Sequence, residues 1–125
     1  MAARTILIVD DDNDLRQTLV EQLALYEEFR IVEADTATKG VQAARAGIVD
    51  LMIMDVGLPD MDGREAVRLL RKSGFKAPII MLTGHGSIDT AIESIRVGAF
   101  DYVLKPCPLD EIEIRIQRAI ERRSL

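Results

Sequence analysis

Short continuous apolar runs alternate along this chain with longer stretches in which apolar residues recur three and four positions apart. The short runs are Ile6 to Val9, Ile31-Val32, Leu51 to Met54, Ile79 to Leu82 and Tyr102 to Leu104. Their length and lack of alternation predict strands buried on both faces, since a strand with one wet face would alternate apolar and polar residues. The longer stretches place Leu15, Leu19, Leu23 and Tyr26 on one helical face. The same spacing groups Val41 with Ala44, Ala66 with Val67 and Leu70, Ile88 with Ala91, Ile92 and Ile95, and Leu109 with Ile112, Ile116 and Ile120. Gly74 and Gly98 follow helical stretches and read as C-caps, while Ser87 and Asp110 stand near helix starts. Five strands alternating with five helices predict a doubly wound α/β fold: each right-handed crossover needs a helix, so the parallel sheet is covered on both faces. No repeat, low-complexity segment or Gly/Ser/Pro-rich linker divides the 125 residues, which predict one domain spanning 1–125.

Open sheets of this type bind ligands outside the carboxyl ends of their strands. Strand 1 ends in Asp10-Asp11-Asp12, strand 3 in Asp55, strand 4 in Thr83 and Gly84, and strand 5 in Lys105 before Pro106. Carboxylates crowded at one edge repel, and one lysine cannot neutralise them. A hard divalent cation can, and an all-oxygen site with room for water suits Mg²⁺. Asp10 to Asp14 also read as a solvated acidic start to the first helix, which leaves Asp55, Thr83 and Lys105 at the same edge unexplained. An EF-hand does not fit: Asp10, Asp12, Asp14 and Glu21 match its loop, but its obligatory glycine is Leu15 here and a strand precedes it. Asp60-x-Asp62-Gly63 fails likewise, because the first and twelfth positions are Leu58 and Leu69.

A net charge of −5 repels phosphate backbones and anionic lipid, which argues against direct nucleic-acid binding and against a membrane surface. Cys107 is the one cysteine, so it forms no internal disulfide, and no second Cys or His stands at metal-ligand spacing from it. The apolar run near the N-terminus, four residues before three acids, is too short for a signal peptide or a membrane span. A soluble, cytoplasmic protein is the expectation.

ILIVDDD, LMIMDVGLPDMDG, PIIMLTGHG and AFDYVLKPCPLDEI, in this order and spacing, resemble the receiver domain of bacterial two-component response regulators, from Thr5 to the last helix. The resemblance implies a flavodoxin-like strand order of 2-1-3-4-5. It implies that Asp55 takes a phosphoryl group from a phosphohistidine on a histidine kinase or phosphotransfer protein, forming an acyl phosphate. Asp11, Asp55 and the backbone carbonyl of Gly57 would be direct Mg²⁺ ligands, with Asp10 acting largely through bound water. Lys105, before a cis Pro106, would pair with a phosphoryl oxygen. Thr83 would donate its hydroxyl to the phosphoryl group, Gly84 would leave room for it, and the ring of Tyr102 would turn inward as Thr83 moves, although a strand tyrosine also serves as core packing. His85, two residues past Thr83, would influence hydrolysis of the acyl phosphate and is not the phosphoryl donor.

Partner contacts in such domains are commonly made by the fourth helix, fifth strand and fifth helix. Ile114 lies off the Leu109, Ile112 and Ile116 face between Glu113 and Arg115, so an outward apolar residue on the last helix marks a homodimer seam to test. The segment GHGSIDTAIESIRVGAFDYVLKP resembles receivers that precede ATPase domains in transcriptional activators, yet no output module is legible after the last helix. A stand-alone receiver and a piece of a longer regulator or hybrid kinase both remain open. Three rival readings fit the residues less well. An Mg²⁺-dependent aspartyl-phosphate phosphatase of the haloacid dehalogenase type needs an acid two residues after the nucleophile, where this chain has Gly57. A flavodoxin-like cofactor binder needs a phosphate loop that Asp10 to Asp14 would repel. A degenerate receiver, used only for interaction, would lack some of the site residues that are all present here.

Overall fold

The computed structural model describes residues 3–84 and 88–124. The chain runs β1 (Arg4–Val9), α1 (Asn13–Leu23), β2 (Phe29–Ala34), α2 (Ala37–Ala46), β3 (Leu51–Asp55), α3 (Gly63–Lys72), β4 (Ile79–Thr83), α4 (Ile88–Arg96), β5 (Asp101–Leu104) and α5 (Leu109–Ser124). The strands pair in parallel in the order β2-β1-β3-β4-β5, the expected doubly wound arrangement.

Alternate residues of each strand serve two separate cores. Leu7, Val9, Met52, Met54, Ile79 and Met81 point to the side covered by Val41 and Ala44 of α2 and Ala66, Val67 and Leu70 of α3. Ile6, Ile8, Leu51, Ile53, Ile80 and Leu82 point to Leu19 and Leu23 of α1 and Ile112, Ile116 and Ile120 of α5. Each large side chain removed from water in this way stabilises the fold by about 1.5–3 kcal/mol before entropy is counted.

The expectation of strands buried on both faces holds for β3 and β4 and for the apolar part of β1, and fails at the sheet edges. Ile31 and Val32 of β2 and Tyr102 of β5 are half-buried, and Leu104 is exposed, because an edge strand is covered less completely than its neighbours. Tyr26 also departs from its expected place. Helix α1 stops at Leu23, and the chain turns so that Tyr26 lies against the ring of Phe29 and donates its hydroxyl to Oε2 of Glu113 at 2.5 Å.

Helix α4 presents the largest difference from the pattern. Ile88, Ile92 and Ile95 are 79%, 48% and 49% exposed, whereas Ser94 is fully buried with its hydroxyl bonded to the carbonyl of Thr90. The helix therefore packs through its small residues, and its isoleucine stripe faces outward. Ser87 lies outside the described residues. Asp110 falls inside the first turn of α5, where its Oδ1 accepts from the amide of Glu111.

Gly74 and Gly98 have φ of +91° and +124°, left-handed values that a β-carbon disfavours. Each ends a helix: Phe75 N–H bonds back to Leu70 O after α3, and Ala99 N–H to Ser94 O after α4. Arg71 ties these two helix ends together, donating to the carbonyls of Phe75, Ala77 and Gly98 at 2.8–3.1 Å. Arg71 thus fastens together the segments that lead into β4 and β5, and the opposite rim carries the polar strand ends.

Candidate functional site

The pairing of Val9 with Met54 sets the tips of β1 and β3 side by side, so the next residues, Asp10 and Asp55, emerge together. Asp10, Asp11 and Asp55 each offer a carboxylate oxygen within 4.8 Å of the others. Asp10 and Asp55 are 2% and 7% exposed, and Asp11 is open to solvent. Lys105 reaches over from the end of β5, with Nζ 2.9 Å from Oδ2 of Asp10 and 3.4 Å from Oδ2 of Asp55. Its own amide donates to the carbonyl of Thr83 at 2.7 Å, which joins the tips of β4 and β5, and the Lys105–Pro106 bond is cis.

The acidic run after β1 divides between two tasks. Asp12 is the N-cap of α1, its Oδ1 accepting from the amide of Leu15, and Asp14 lies in the first helical turn. Asp10 turns back to the site, where its Oδ1 accepts from the amide of Asp12 at 2.9 Å. Asp12 and Asp14 thus belong to the start of α1, while Asp10 and Asp11 stand beside Asp55.

The loop after β3 is pinned at several points. Gly57 donates its amide to Oδ1 of Asp55 at 3.3 Å and bridges to Asp62, the N-cap of α3, while Gly63 N–H bonds to Val56 O at 2.8 Å. Asp60 reaches across to α2, accepting from the amides of Ala37 and Thr38 at 2.9 Å and from the Thr38 hydroxyl at 2.5 Å. These bonds, the hydroxyl's first, hold the Asp60 carboxyl down at about 2.

Burial raises the Asp10 carboxyl above its ordinary value despite the ammonium of Lys105 beside it. Burial opposes the charge on Lys105, but the carboxylates of Asp10 and Asp55 outweigh it and hold that ammonium above its ordinary value. Lys105 and Asp10 form a buried ion pair, with Nζ 2.9 Å from Oδ2. Two buried carboxylates, a third at the rim and one lysine leave negative charge in surplus, presented on hard oxygen donors with one side open to water. Those features fit a hydrated divalent cation such as Mg²⁺.

A testable consequence concerns Asp10. An acid whose carboxyl is raised in the folded state binds protons more tightly folded than unfolded, so stability falls as pH rises through that carboxyl's range. In metal-free buffer at neutral pH, Asp10→Asn is expected to shift the urea midpoint upward. The gain should shrink as pH falls toward the ordinary carboxylate value of 3.8, where wild-type Asp10 is itself protonated. A midpoint that drops in the variant at neutral pH would contradict this account.

Thr83, at the end of β4, is buried, and its partner in β5 is Leu104. Tyr102 packs its ring against the α2/α3-side core. Its hydroxyl is buried with no hydrogen-bond partner among the described residues, and burial raises it above its usual range while the nearby guanidinium of Arg64 works in the opposite direction. His85 lies outside the described residues. Arg16 is the residue at this rim that the sequence pattern did not single out: Nη1 donates to the backbone carbonyl of Asp10 at 2.6 Å. A lone arginine on a helix carries no signal that its partner is a strand-end carbonyl.

Comparison with known proteins agrees with this architecture. The model of the response regulator receiver domain matches residues 6–117. The regulatory protein AtoC of Escherichia coli is 36% identical over 99% of this chain and 27% of its own length. The cell cycle response regulator CtrA of Brucella ovis is 35% identical over 95% of this chain and 50% of its own length. The chain thus spans between about a quarter and a half of these relatives. Among solved structures, a CheY-like response regulator receiver domain protein from Methanospirillum hungatei superposes with a TM-score of 0.91 at 28% identity, covering 98% of both chains. The beryllofluoride-activated NtrC4 receiver domain, solved as a dimer, superposes with a TM-score of 0.88 at 27% identity over 94% of this chain and 97% of that one. By the match over nearly its whole length and by the fold, this chain belongs to the response regulator receiver domain family.

Proposed function

We propose that residues 1–125 form one receiver unit that accepts a phosphoryl group on Asp55 from a phosphohistidine of a histidine kinase or phosphotransfer protein. The supporting observation is the convergence of Asp55 with Asp10, Asp11 and Lys105 at one rim of the sheet. A carboxylate oxygen of Asp55 attacks phosphorus, and the P–N bond to the donor imidazole breaks. The nitrogen leaves with the electron pair and takes up a proton from solvent. Phosphoryl transfer depends mainly on in-line positioning and charge stabilisation, which a rigid strand end supplies.

Asp10, Asp11, Asp55 and the carbonyl of Gly57 would hold Mg²⁺. When bound, that ion supplies positive charge to the phosphoryl oxygens. Lys105 offers its ammonium to a phosphoryl oxygen, and Thr83 offers its hydroxyl. Because the amide of Lys105 is bonded to Thr83 O, the tips of β4 and β5 respond together, and Tyr102 on β5 carries that shift toward α4. This describes a signalling phosphoacceptor, fed by a kinase in the cytoplasm. The phosphatase alternative is not favoured, since Gly57 places no acid two residues beyond Asp55. The deciding experiment is incubation with a small acyl phosphate and Mg²⁺ followed by intact mass and peptide mapping. Transfer of one phosphoryl group, mapped to Asp55, supports the reading; no transfer defeats it.

The output face follows from the outward stripe of α4. Ile88, Ile92, Ile95, Leu104 and Ile114 are all exposed on α4, β5 and α5, an apolar surface of the kind that marks an interface. The reading assigns it to a second copy of this chain, with association tightened by phosphorylation through differential contacts in the two states. Sedimentation with and without beryllofluoride, which stands in for the phosphoryl group, should show a larger species with it. Ile114→Glu should return that species to monomer. A monomer under both conditions, or a dimer unaffected by Ile114→Glu, would redirect attention to a different partner.

A further inference from the structure

We infer that Arg16 is a positioning residue that sets the orientation of the Asp10–Asp11 peptide and thereby holds the two carboxylates that follow β1 in register for a divalent cation. The inference rests on the phosphoacceptor reading above. Arg16 sits on the first turns of α1, and its side chain is only 12% exposed, unusual for a guanidinium on a helix beside solvent. Its planar fork of donors spans three segments. Nη1 donates to the carbonyl of Asp10 at 2.6 Å, Nη2 to Oδ1 of Asn13 at 2.7 Å, and Nε to Oε1 of Glu33 on β2 at 3.0 Å. Glu33 is itself placed by strand pairing, lying opposite Ile8.

The carbonyl that Arg16 holds belongs to the peptide joining Asp10 to Asp11. Asp10 has its amide bonded to Ala34 O and its side chain bonded to the amide of Asp12. The exposed side chain of Asp11 has no such anchor among the described residues, so its position follows from the peptide plane before it. Anchoring that carbonyl to β2 and α1 limits rotation of the plane. Without it, Asp11 samples orientations that spread the cluster, and a cation has to order the loop as it binds.

Charge alone argues the other way. Arg16 is a cation bonded to the backbone of Asp10 beside the acidic cluster, and removing a positive charge from such surroundings strengthens the attraction of the carboxylates for a second cation. The two effects therefore have opposite signs, and a charge-preserving substitution isolates the first. Arg16→Lys retains the charge but loses the fork, since an ammonium on a flexible stem cannot bond all three partners in one plane. Losing an outer partner that orients a metal ligand commonly weakens metal affinity by about 10–100-fold, and the lower end is expected here because only the peptide is released.

The test is an NMR titration with magnesium chloride, following the amides of Asp11 and Gly57, on the wild type, Arg16→Lys, Glu33→Gln and the double variant Asn13→Ala/Glu33→Gln. Arg16→Lys is expected to weaken binding about 10-fold. Glu33→Gln, which leaves the bond to Asp10 in place, should stay near the wild type, and the double variant should fall between. A urea unfolding series without metal gives the stability of each protein separately, so a change in affinity is not mistaken for a loss of fold. If Arg16→Lys does not fold, the double variant decides, and wild-type affinity in it overturns the inference. Wild-type or tighter affinity in folded Arg16→Lys also overturns it. If the wild type itself shows no magnesium-dependent shifts, the phosphoacceptor reading fails instead.

Discussion

Asp55→Asn is expected to reduce phosphoryl transfer from a small acyl phosphate to background while leaving the fold intact. The amide oxygen of asparagine keeps the shape of the side chain and still accepts the amide of Gly57, which meets Oδ1 of Asp55 at 3.3 Å. What it loses is the negative, nucleophilic oxygen, and neither Asp10 nor Asp11 replaces it. Asp10 is buried against Lys105, which stands 2.9 Å from its Oδ2, and Asp11 lies exposed at the solvent rim. Removing one of several crowded carboxylates also relieves repulsion, so the metal-free variant should unfold at the same or a higher urea concentration. Intact mass of the treated variant reads the first expectation and its urea midpoint the second. A variant that still gains one phosphoryl group would show that the acceptor lies elsewhere.

Gly63→Ala is expected to damage both stability and the site. Gly63 is the first residue of α3, and an added β-carbon there would stand 2.3 Å from the carbonyl oxygen of Asp55, 3.0 Å from Cα of Val56 and 3.1 Å from the carbonyl carbon of Asp55. Every obstructing atom is backbone, so no side-chain rotation relieves the clash. Either α3 backs away from the tip of β3 or the Asp55–Val56 peptide moves. Overpacking of a well-filled site costs about 1–3 kcal/mol, and the upper end is expected because two fixed elements meet. The displaced peptide follows Asp55 itself, so transfer to Asp55 should slow even in protein that remains folded. Gly57→Ala is the control: nothing lies within 4 Å of its added carbon, and its stability should stay within about 0.5 kcal/mol of the wild type. Equal urea midpoints for the two variants would show that the approach of α3 to β3 is not tight.

Much of this architecture is legible in the sequence. Continuous apolar runs and 3.6-residue spacing are local properties, and they located the five strands and five helices, the glycines at two helix ends and the acids, threonine and lysine at the strand ends. A parallel sheet then brings those strand ends to one rim whatever the side chains between them, so the gathering of Asp10, Asp55 and Lys105 followed from alternation alone.

Tertiary structure decided what depends on distant neighbours. The spacing of Ile88, Ile92 and Ile95 marked one face of α4 but not the side on which the sheet lies; packing through buried Ser94 turned that face outward. The acidic run after β1 could have served the helix or the site, and the path of the chain gave Asp12 to the cap and Asp10 to the cluster. Asp60 holds the start of α2 from 22 or 23 residues away, and Arg16 meets Glu33 across 17. Hydrogen bonds of that separation leave no periodic trace, because a polar side chain is compatible with solvent until the fold places a carbonyl or carboxylate in front of it.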